Sequence, residues 1–110
     1  MKELTLKQYD KLKSYVEKAG FGLPADVRIF FDPKCKFGAY DYLQDRIRLM
    51  DAPNMLFELT PCVVHELIHR RQRQRMPLIK WALLNLFRRL EPEAIAAEEL
   101  AEARLGISLK

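Results

Sequence analysis

Thr60-Pro61, Met76-Pro77 and Glu91-Pro92 cut the second half of this chain into three stretches of helical length, none able to continue unbroken through the next proline. Proline lacks a backbone donor and disfavours helical backbone in the residue before it, so helices start or stop at such dipeptides. Threonine before proline is also a start signal, because the hydroxyl caps and proline at the first helical position gives up no needed hydrogen bond. Three helices are therefore expected: Thr60-Pro61 to about Arg75, Leu78 to Leu90, and Pro92 to Gly106, where glycine is a natural C-cap.

The first half alternates differently. Thr5 and Gln8 have the spacing of a capping box, and Leu6, Tyr9, Leu12 and Val16 recur on one helical face until Gly20 and Gly22 end it near Pro24. Val27 to Phe31 is rich in β-branched and aromatic residues and stops at Asp32-Pro33, which predicts a strand. Ala39 to Leu43 and Arg46 to Met50 flank Gln44-Asp45 as a hairpin, with Ile47 and Leu49 on one face and Arg46 and Arg48 on the other. The expected architecture is α+β: one domain over residues 1–110, with a short antiparallel sheet packed on about four helices. A chain of 110 residues, 49% of them hydrophobic, suffices for one core.

Cys35 and Cys62 are the only cysteines, which excludes a four-cysteine metal site and a dense disulfide framework. Residues 1–5 alternate charged and apolar side chains without the apolar stretch of a secretion signal, so a cytoplasmic address is expected. The longest apolar stretch, Leu78 to Leu90, is interrupted by Lys80, Asn85, Arg88 and Arg89 and falls short of the roughly 20 residues a membrane span needs.

Chemistry concentrates at His65-Glu66-Leu67-Ile68-His69, an HExxH pattern on the helix that Thr60-Pro61 and Met76-Pro77 delimit. Residues four apart lie one above the other, so both imidazoles can reach one ion, while Glu66, about 100° further round, flanks it. Zinc held this way keeps a position for water and lowers its pKa to about 7, with Glu66 placed to act as general base. The implied reaction is metal-assisted peptide hydrolysis, with Zn2+ as cofactor and a peptide or protein as substrate.

A third protein ligand must lie elsewhere. No His and no Asp follows His69, leaving Glu91, Glu93, Glu98, Glu99 and Glu102 as the downstream carboxylates. At 100° per residue, Ala94, Ile95, Glu98, Ala101, Glu102 and Leu105 share one face of the last helix. A carboxylate amid that apolar face is costly unless it is paired or coordinating, which singles out Glu98. Glu102, one turn on, could accept the second ring N–H of a liganding histidine.

These residues resemble the gluzincin metallopeptidases, with HELIH at 65–69 and a Glu-x-x-Ala-acid run at Glu98-Glu99-Leu100-Ala101-Glu102; the nearest likeness is to minigluzincins, minimal single-domain members of about this length. The resemblance covers roughly residues 24 to 106, including a hairpin before the metal helix. It implies a zincin-like fold, His65, His69 and Glu98 as zinc ligands, Glu102 supporting a histidine, and an edge strand that takes substrate alongside it. Glu102 stands where Asp is more usual, and Glu91-Pro92-Glu93-Ala94 offers a second Glu-x-x-Ala match. Glu91 has Ile95 rather than an acid four residues on. Larger relatives steady the oxyanion with a later His or Tyr; no His or Tyr follows His69 here, and Tyr40, Tyr42 or an arginine could substitute.

Three other features bear on partners and on the site. Arg70, Arg71, Arg73 and Arg75 point in different directions on a helical projection, which argues against a nucleic-acid stripe despite the net charge of +4. Cys62, one turn before His65, reads as a small buried residue. The helix from Leu78 to Leu90 is apolar around more than half its circumference, so either it is a core helix covered from two sides by the first helix and the metal helix, or the protein self-associates around Trp81, Leu84 and Phe87. The competing functional readings are a catalytically silent, zinc-stapled interaction protein and a protease-like module acting at nucleic acid.

Overall fold

The structure is a computed structural model that describes residues 1–107. Helix α1 (Leu6–Lys18) begins where the capping box predicts: Gln8 N donates to Thr5 Oγ1 at 3.2 Å and Thr5 N donates to Gln8 Oε1 at 2.9 Å. Leu12 and Val16 face the core, whereas Leu6 is exposed. The helix stops at Ala19, and Gly20 turns the chain at φ +87°, a backbone region that side chains disfavour.

The sheet has four strands in the order β1 (Lys2–Glu3), β2 (Arg28–Asp32), β4 (Arg46–Met50), β3 (Gly38–Asp41). It is mixed rather than purely antiparallel: β2 and β4 run parallel, with Ile29 beside Ile47 and Phe31 beside Leu49, while β1 and β3 are antiparallel edges. The reason is burial. The strands whose alternate residues are most apolar, β2 and β4, take the centre, and all four of those side chains are buried. The segment after Asp32 carries β3 outside β4, so the predicted hairpin forms but its returning strand lands beside β2. Strand β1 is too short and polar to show a period in sequence.

Helix α2 (Leu56–Arg75) packs on the sheet and starts four residues before Thr60. Leu56 and Leu59 pack into the core with Leu12, Ile29 and Val63, and this burial extends the helix past the local start signal. Thr60 is consequently no cap; its hydroxyl donates to Leu56 O at 2.8 Å, and Pro61 sits inside the helix, which forgoes one backbone bond there.

Helix α3 spans Leu78–Leu86 and helix α4 Glu91–Leu105. The former ends four residues before the expected Leu90, because Arg88 adopts φ +57° and the chain turns sharply over residues 87–90. Gly106, at φ +69°, ends α4 as expected, with Ile107 N donating to Glu102 O. Ala19, Val64, Ala101 and Leu105 form the contact where α4 lies on α2 and α1. Trp81, a candidate for an oligomer surface, is instead 2% exposed, with its ring against Tyr42 (centroids 4.7 Å apart) and edge-on to Tyr40. Among the described residues no helix is long and apolar enough to cross a membrane.

Candidate metal centre

Helix α2 presents His65 and His69 one turn apart, and their Nε2 atoms are 3.2 Å from each other. Each ring is oriented by a bond on its other nitrogen. His65 Nδ1 lies 2.7 Å from Glu98 Oε1, and His69 Nδ1 lies 2.9 Å from Gln72 Oε1. The amide of Gln72 is itself oriented, since its nitrogen donates to Leu90 O at 3.0 Å and to Glu93 Oε1 at 3.3 Å. Its oxygen must then accept from His69, and the Glu98 carboxylate accepts from His65. In the neutral imidazoles both Nδ1 atoms carry the proton, which leaves two Nε2 lone pairs aimed at one point.

Glu91, the first residue of α4, closes this group. Its Oε1 is 2.6 Å from His69 Nε2 and its Oε2 is 3.3 Å from His65 Nε2. This departs from the placement the sequence suggested. Glu98, singled out as the third ligand, lies on the Nδ1 side of His65, and Glu91 lies on the Nε2 side of both rings. The left-handed turn at Arg88 brings the N-terminus of α4 against the imidazoles; Glu98, seven residues along, is about 10 Å further up the helix axis. The acceptor role expected of Glu102 falls to Gln72 on His69 and to Glu98 on His65, and Glu102 is buried beside a cavity shared with Phe37, Cys62 and Glu98. Gln72 escaped the sequence reading, although its position three residues after His69 puts it on the same helical face.

Glu66 lies with the two histidines in a group whose ligand atoms are all within 4.8 Å of one another, and this group could hold a metal ion. Burial pushes the Glu66 carboxyl up to about 7, against a smaller opposing pull from His65. Gly38 of β3 passes close beside it: a Cβ at Gly38 would stand 3.6 Å from Glu66 Oε2 and 3.6 Å from Cys62 Cβ. Cys62 is a free, buried thiol pushed up to about 12 by burial, which makes it an inert core residue rather than a nucleophile.

A cleft of about 280 Å³ opens over the histidines, lined by Gly38, Tyr40, Glu66, Trp81, Asn85 and Glu91. Tyr40 donates its hydroxyl to Asp45 Oδ1 at 2.8 Å, and Asp45 is also held by Arg70 at 2.9 Å. Arg70 is thus buried in an ion pair rather than displayed to solvent. Asn85, which the sequence reading did not single out, also lines this cleft.

No family model, curated protein or solved structure matches this chain.

Proposed function

We propose that the chain is a zinc-dependent metallopeptidase of the gluzincin type, with His65, His69 and Glu91 as protein ligands and Glu66 as general base. The observation that carries the reading is the convergence of acceptors: two Nε2 lone pairs 3.2 Å apart and a carboxylate 2.6 and 3.3 Å from them. Lone pairs so close repel unless a cation lies between them. Ligands about 2.0 Å from a tetrahedral zinc ion stand about 3.3 Å apart, close to two of these three spacings. The donor set of two imidazoles and one carboxylate is that of an open, catalytic zinc site rather than a closed structural one.

Zinc, when bound, supplies a polarised water of pKa about 7 and draws charge from a substrate carbonyl. The chain's own groups do the rest. Glu66 takes the water's proton at its carboxylate and returns it to the leaving amine. Glu98 and Gln72 hold the tautomers that keep both Nε2 atoms available. Strand β3 is a sheet edge whose Gly38 borders Glu66, so an extended peptide pairing along it would run past the base. Asn85, on the cleft wall, is a candidate donor to the developing oxyanion.

The test combines elemental analysis of protein purified without added metal with cleavage of an unfolded protein by wild type and Glu66→Gln. We expect one zinc per chain in both, and a loss of cleavage of about a hundredfold to ten-thousandfold in the variant. A variant as active as wild type would remove Glu66 from the role of base. Zinc retained without cleavage by either protein would favour a structural site that staples α2 to α4.

A further inference from the structure

Helix α3 is held by one face and leaves the other bare. Trp81 is buried against the hairpin, while Ile79, Leu83, Leu86 and the cap residue Phe87 are 77, 53, 73 and 68% exposed. At 100° per residue those four fall within an arc of about 100°, opposite Trp81, so they form one continuous apolar stripe. Single exposed apolar residues need no explanation, but a stripe of four does.

Charge identifies what the stripe suits. Seven of the nineteen basic residues and none of the fifteen acidic ones lie between Leu67 and Leu90, so the remainder of the chain, with twelve against fifteen, is net acidic. Arg75, Lys80, Arg88 and Arg89 bracket the stripe, all exposed and none in an ion pair among the described residues. A second copy docking stripe to stripe would bring two such cationic rims together. An anionic surface with an apolar interior satisfies both features at once: basic side chains meet headgroups while leucine and phenylalanine enter the acyl boundary. The helix has nine residues and is about 13 Å long, a length that lies within an interface and cannot span it.

We propose that α3 docks this protein on an anionic lipid surface, with Ile79, Leu83, Leu86 and Phe87 inserted and Arg75, Lys80, Arg88 and Arg89 on the headgroups. The same helix contributes Trp81 and Asn85 to the cleft over His65 and His69, so docking brings that cleft close to the surface.

Flotation with vesicles tests this. Wild type is expected to float with phosphatidylcholine vesicles containing phosphatidylglycerol and to remain below vesicles of phosphatidylcholine alone. The pair Leu86→Ser and Phe87→Ser, both at exposed positions, should abolish flotation with an unchanged circular-dichroism melt. The pair Lys80→Gln and Arg89→Gln should weaken binding roughly 25-fold, at about fivefold per cation removed. Failure of wild type to float with anionic vesicles overturns the proposal, as does flotation that neither pair alters. So does a wild-type dimer in sedimentation equilibrium that ignores vesicles and becomes monomeric with Leu86→Ser and Phe87→Ser; the stripe then faces a second copy. The readout involves no catalysis, and its failure leaves the peptidase reading intact.

Discussion

Replacing Glu91 and Glu98 separately by alanine distinguishes a carboxylate that meets the metal from one that orients its ligand. Four-ligand structural zinc sites bind with about 10–16 kcal/mol, or about 3 kcal/mol per ligand. At 1.4 kcal/mol per tenfold, Glu91→Ala should weaken zinc binding by about a hundredfold or more. On the proposed ligand set of His65, His69 and Glu91, Glu98→Ala leaves the ligands in place and removes only the acceptor on His65 Nδ1. Losses of that kind run from about tenfold to a hundredfold. The Glu98 side chain is 28% exposed, so water can replace it and the lower end, about tenfold, is expected. Competition titration against a chromogenic chelator reads both affinities. Thermal melts without metal check the fold, where loss of Glu91 from the first turn of α4 should cost under about 1 kcal/mol. Equal affinities, or Glu98→Ala the weaker, would refute the reasoning and return the ligand role to Glu98.

Other expected outcomes concern stability. Trp81→Ala should destabilise the fold by about 3 kcal/mol in urea titration, because a 2% exposed indole packed on Tyr42 leaves a cavity; unaltered stability with altered sedimentation would put Trp81 back on the surface. Asp45 is held below the usual carboxylate range by its bonds from Arg70, and Asp32 by the Lys34 backbone N–H and Arg48. A depressed carboxylate stabilises the fold above its unfolded pKa of about 3.9 and ceases to do so as pH falls through the folded value. Acid titration should therefore show stability declining below about pH 4, with a shallower decline in Asp45→Asn; an identical slope in the variant would remove the Asp45 pair from the account.

The sequence by itself determined the elements whose signals are local. The Thr5 capping box, the alternation of Arg46 to Met50, the Gly106 cap and the i, i+4 histidines each depend on neighbours within a turn or a strand, and each stands where it was expected. Tertiary structure decided whatever depended on which distant surface was available. Burial of Leu56 and Leu59 pulled the start of α2 back past Thr60-Pro61, and competition for the centre of the sheet set β4 parallel to β2. A helical projection of α4 ranks its glutamates by their own helix and places Glu98 among apolar neighbours. It contains nothing about the turn at Arg88, which delivers Glu91 to the Nε2 atoms and leaves Glu98 on the Nδ1 atom of His65. Periodicity reports the face a residue occupies on its own helix; the atom it meets across the interface depends on how two helices are set against each other, and only the folded chain specifies that.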